Sequence, residues 1–144
     1  MNMPPPPRPA SPATLGAALG LVAICLCLQC LGSPAQTLLR FSPQALAHGE
    51  YWRLISGHLI HLGWRHWCLN MASLTALVLV LPEIRPVTRL YLSALLSAIG
   101  VDLGLLLWHP NLTWYLGFSG VFYGLMASGG CLAASQGRSI GMIV

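Results

Sequence analysis

A polytopic α-helical membrane bundle is the fold class this sequence predicts. Three observations carry the prediction. Only 7% of the 144 residues are charged and 56% are apolar, whereas a soluble domain carries roughly 25% charged residues. Apolar runs of about 20 residues, the length that crosses a bilayer as a helix, recur along the chain. Proline, glycine and arginine punctuate them. Mean hydropathy is +0.70. The net charge of +4 comes from scattered arginines, with no lysine at all, so the pattern anchors loops and offers no surface for nucleic acid.

Residues 1–12 hold Pro4 to Pro7, Pro9, Pro12 and Arg8, a Pro-rich flexible tail. The first span is Ala13–Leu31. Ser33-Pro34-Ala35 after it resembles a small-residue cleavage site, so a removed signal peptide is the alternative. The length of the run and its weakly basic flank favour a retained helix. Cys30 is not a lipid-attachment cysteine, because Gln29 stands where a small residue is needed. Cys25, Cys27, Cys30, Cys68 and Cys131 are small apolar residues of membrane helices, with no second ligand pair for a metal.

Residues 34–57 are mixed and polar, an extramembrane loop with short interfacial helices; Tyr51 and Trp52 suit the headgroup level. The second span is predicted over Leu59–Leu81. It closes at Pro82-Glu83-Ile84-Arg85-Pro86, a turn with a helix breaker at each end. The third span is Thr88–Trp108, the fourth Ser119–Ser135. Gln136 to Arg138 close the fourth, and Ile140–Val144 opens a fifth. Arg8, Arg85, Arg89 and Arg138 place the N-terminus and the 82–87 turn in the cytoplasm. Residues 34–57 and 109–116 then face outside, against the vote of Arg40, Arg53 and Arg65. The fourth span is short, about 25 Å of helix against a hydrocarbon core of about 30 Å. Its start is therefore expected below the outer surface, with a wet cavity above Ser119.

Polar groups at membrane depth are costly and point to function. Ser119 stands at a helix N-terminus, where unpaired backbone N–H groups favour developing negative charge. Taken alone, Gly117-Phe118-Ser119-Gly120 reads better as an N-cap with packing glycines, because such short matches are common. Gly120, Gly124 and Ser128 make a stripe of small residues that lets a neighbouring helix approach. That neighbour is expected to bring a side chain within reach of Ser119. His66 and Asn70, four apart, share one face of the second span, and both offer N–H donors suited to an oxyanion. His61 lies nearer the outer end. Asp102 is expected to reach the interface or to pair with a histidine such as His109. His48 and His58 are read as interfacial.

Three elements, in order and spacing, resemble the rhomboid family of intramembrane serine proteases. They are Glu50-Tyr51-Trp52-Arg53-Leu54 in the first outer loop, His61-x4-His66-x3-Asn70-Met71 in the second span, and Gly117-Phe118-Ser119-Gly120 with Gly124 in the fourth. The resemblance covers residues 48–135. The short tail and the Gly49-to-Leu54 wording are most similar to the rhombosortase branch, thought to process bacterial proteins with a C-terminal Gly-Gly sorting tail.

The resemblance implies a six-helix bundle, of which this chain holds four to five helices. Residues 13–144 would then be a rhomboid-like membrane domain that ends short of the full set. It also implies Ser119 as nucleophile, His66 and Asn70 as oxyanion stabilisers, and motif glycines at Gly117, Gly120 and Gly124. The general base would be a sixth-helix histidine that these residues do not include. No metal or organic cofactor is implied. The partners are the lipid bilayer and the transmembrane segment of a protein substrate, and the location is a bacterial inner membrane. The rival class is a non-catalytic relative that binds transmembrane clients. A small transporter subunit would show internal repeats, and none is seen.

Overall fold

The computed structural model describes residues 10–135. Among them are seven α-helices, one 3-10 turn and no strand beyond an isolated bridge between Phe41 and Tyr115. Helix α1 (Pro12–Cys30) starts where Ser11 accepts the Thr14 N–H at 3.1 Å, with Pro12 just inside. Proline suits that place because a first-turn N–H has no intrahelical partner anyway. Gly32, at φ +67°, turns the chain into α2 (Gly32–Leu39). Two short helices follow, α3 (Pro43–Ala47) and α4 (Arg53–Leu59). Then come α5 (Gly63–Val80), the 3-10 turn Pro82–Ile84, α6 (Val87–Trp108) and α7 (Ser119–Ser135).

The first, third and fourth spans fall within about a residue of expectation. The second is corrected: α4 ends at Leu59, Ile60–Leu62 are not helical, and α5 begins at Gly63 with φ +82°. Apolar composition ran straight through this break, and only the glycine marked it. Most of the Pro-rich tail, Gln136–Arg138 and the fifth apolar run at Ile140–Val144 lie outside the described residues.

Helices α1 and α6 are each long and apolar enough to cross a membrane, with mean hydropathies of 2.1 and 2.0. Helix α5 is diluted by Arg65, His66 and Asn70, and α7 has only 17 residues. The whole is a helical membrane bundle. Lipid-bathed helices gain no hydrophobic drive toward one another, so close packing and hydrogen bonds must hold them. The α6–α7 pair, the most extensive in the bundle, shows how. A Cβ on Gly124 would collide with Ser97 Oγ, and one on Gly120 would come within 2.7 Å of Val101 Cγ2. One step further along, the Ser93 and Ser128 hydroxyls share a hydrogen bond of 2.8 Å. On another side of α7, a Cβ on Gly129 would press within 2.9 Å of Leu81 beside the 3-10 turn.

Two ends of the bundle can be told apart by their ties. At one, Thr14 Oγ1 donates to the Arg85 carbonyl, and Arg85 covers the end of α5 through Val78 O (3.3 Å) and Leu79 O (2.6 Å). At the other, the α2–α4 hairpin is knotted around Arg53, which is buried. Its guanidinium pairs with Glu50 at 2.6 Å and donates to Thr37 O and Arg40 O, both at 2.9 Å. Such charge-assisted bonds to carbonyls left over at a helix end justify a buried arginine. The hairpin then grips the turn before α7: the Tyr115 N–H donates to Phe41 O at 3.0 Å and the Gly117 N–H to Gly57 O at 2.8 Å.

Candidate active site

Ser119 is the first residue of α7 and half-buried. It opens on a cavity of about 210 Å³ lined by His66, Leu69, Asn70 and Ser73 of α5 and by Ser119, Phe122 and Tyr123 of α7. The lining follows helical spacing. His66, Asn70 and Ser73 succeed each other at four and three residues, and Phe122 and Tyr123 lie three and four residues after Ser119. Serine, imidazole and amide, 49 to 53 residues apart in sequence, therefore share one pocket.

The polar atoms have distinct commitments. The Leu62 N–H donates to His66 Nδ1 at 3.3 Å. With Nδ1 an acceptor, the neutral ring carries its proton on Nε2, which is left as a donor. Asn70 Nδ2 gives one proton to His66 O at 2.9 Å and keeps a second N–H. Together with the backbone N–H groups of the α7 start, these are the kinds of donor that stabilise negative charge.

Gly117 explains its own place in the motif. It sits at φ +120°, where side chains are strained, and a Cβ there would come within 2.7 Å of His66 Cε1. Only glycine lets the turn before Ser119 lie flat against the His66 ring. Gly120 and Gly124 serve a different face. They pack on α6, and the cavity lies on the neighbouring side of α7, so the helix that meets the small-residue stripe brings no side chain into the Ser119 pocket, contrary to expectation.

His61 is fully buried and meets His66 edge to face, ring centroids 5.2 Å apart, but does not line the cavity. His48 is exposed and bonds to Gln44 O at 2.8 Å. His58 corrects the interfacial reading: it is 3% exposed, with Nε2 at 3.2 Å from Asp102 Oδ1. Asp102 thus pairs with His58, and His109 stays exposed at the far end of α6. The signal was available, since an acid inside an apolar span needs a partner and His58 was one of few candidates. Serine, histidine and aspartate are all present, yet His58 and Asp102 are no part of the Ser119 pocket. His58 lines a separate apolar groove of about 180 Å³ with Phe118 and Val121 on the other side of the turn. Leu69, Ser73, Phe122 and Tyr123 went unnoticed in the sequence, though they follow from His66 and Ser119 by helical periodicity.

A scan against protein-family models matches the Rhomboid domain over residues 48–141. The chain belongs to the rhomboid family. The matched stretch contains Glu50 and Arg53, the α5 donors and Ser119. Rhomboid proteins work in the bilayer on transmembrane substrates, as serine proteases or as non-cleaving relatives. A search of curated proteins finds no match.

Proposed function

We propose that this rhomboid chain carries the nucleophile and oxyanion site of an intramembrane serine endopeptidase. The observation that carries the reading is that Ser119, His66 and Asn70 line one cavity. Ser119 Oγ attacks a substrate carbonyl. His66 Nε2–H, Asn70 Nδ2–H and the Ser119 N–H hold the oxyanion, and water later resolves the acyl-enzyme. The base is the family's sixth-helix histidine. In support, His66 is the one imidazole lining the cavity among the described residues, and its Nδ1 already accepts from the Leu62 N–H, which leaves Nε2–H a donor rather than a base.

Substrates on this reading are membrane-anchored proteins cut near the outer face. The rhombosortase-like wording at Gly49–Leu54 favours bacterial proteins with a C-terminal Gly-Gly tail. The membrane is the bacterial inner one, with the N-terminus inside. Arg85 and Arg89 near the start of α1 support that orientation, while two of the opposing arginines are engaged: Arg53 with Glu50 and Arg40 over the Trp114 ring at 5.1 Å.

The test is fluorophosphonate labelling with substrate cleavage. Protein that includes a sixth-helix histidine should label at Ser119 and cut, and Ser119→Ala should abolish both; residues 1–144 alone should not label. Cleavage that survives Ser119→Ala would overturn the proposal. One observation favours a second reading, a client-binding pseudoprotease: no base faces Ser119 among the described residues. Co-purification of a transmembrane client by a protein that neither labels nor cuts would favour it.

A further inference from the structure

The His58–Asp102 pair joins α4 to α6 across 44 residues of sequence, deep in the bundle and outside the Ser119 pocket. Two ionisable groups are costly to bury unless they hold something in place. What they hold can be followed bond by bond. His58 packs edge to face on Tyr115, ring centroids 5.9 Å apart. The Tyr115 hydroxyl donates to Gly117 O at 3.2 Å, and Gly57, next to His58, accepts the Gly117 N–H at 2.8 Å. Gly117 lies against His66, and Ser119 follows two residues later. On the far side of Ser119, Val101, the neighbour of Asp102, presses on Gly120. Helix α6 therefore grips the nucleophile's turn from both flanks. The ring has no other hydrogen bond: its Nδ1 is buried without a partner among the described residues.

We propose that His58 and Asp102 are positioning residues, a clamp that fixes the Tyr115–Gly117 turn and so sets Ser119 against His66 and Asn70. The catalytic meaning rests on the protease reading above; the clamp itself does not. It requires an acceptor at position 102. Asp102→Asn keeps an oxygen to accept from His58 Nε2–H, whereas Asp102→Leu removes it without leaving an unpaired acid.

The experiment compares the full-length protein in proteoliposomes with both variants, by cleavage kinetics and by amide hydrogen exchange over residues 115–120. Asp102→Leu should speed exchange there and lower kcat about 10²-fold, the scale of a misplacement near 1 Å, with KM little changed. Asp102→Asn should rescue both. Should Asp102→Leu fold poorly, His58→Phe with Asp102→Leu, which buries no unpaired polar group, is expected to show the same loss. Unchanged exchange at 115–120 in these variants overturns the clamp, and faster exchange with undiminished kcat overturns its positioning role. If the wild type neither labels nor cuts, the protease reading fails by itself, and exchange still decides the clamp.

Discussion

Two polar clusters flank the turn before α7, and they differ in one respect. His58 and Asp102 bond to each other and are buried away from the Ser119 cavity. His66, Asn70 and Ser119 keep donors in reserve and face a cavity. Both clusters carry the high cost of polar groups among membrane helices. The closed one repays it in geometry, and the open one has unspent hydrogen bonds to offer a reacting group. In this bundle, opening on a shared cavity distinguishes the two clusters better than residue type does, since each side holds a histidine.

The contrast can be broken or sharpened by substitution. The largest effect is expected from the open cluster. His66→Ala should lower kcat about 10²–10³-fold, the usual cost of an oxyanion donor, while the thermal midpoint of the purified protein hardly moves. Asn70→Ala should cost less in kcat, because one of its two amide protons is already committed to His66 O. A large fall in midpoint with either variant would move these residues to the architectural side. Gly117→Ala comes next and should do both kinds of damage. A strained backbone there costs about 1–3 kcal/mol, read as a lower midpoint. The added methyl displaces His66, read as slower fluorophosphonate labelling of Ser119. The smallest effect belongs to the α6–α7 seam. Gly124→Ala should lower the midpoint by a few degrees with labelling intact, and adding Ser97→Gly, which removes the colliding hydroxyl, should restore it.

How much of this was legible in the sequence depended on the range of the interaction. Helix periodicity placed His66 with Asn70 on one face, and apolar length placed α1, α6 and α7, because both are local properties. The break at Ile60–Leu62 was hidden, since a short irregular segment packed among helices is as apolar as they are. That Asp102 needs a partner was legible; which of several histidines meets it was not, because that is decided by how α4 folds back on α6. The glycine stripe was legible as a packing face, but the helix that packs there, α6, adds no side chain to the Ser119 cavity, because spacing tells that a helix approaches but not which one. Gly117 shows the limit most plainly. Its need for a positive φ was within the range of sequence reasoning, but its collision with a ring 51 residues away was not.

The bond from Tyr115 to Phe41 and the bond from Gly117 to Gly57 carry a consequence for handling the protein. They tie the α2–α4 hairpin to the turn before Ser119, so the two are expected to open together. An epitope tag or a protease nick anywhere in 41–57 is therefore felt at Ser119. The exposed tip at Pro110 and Asn111 belongs to neither strand of that stitch, and it is the place where an insertion leaves the molecule's working end undisturbed.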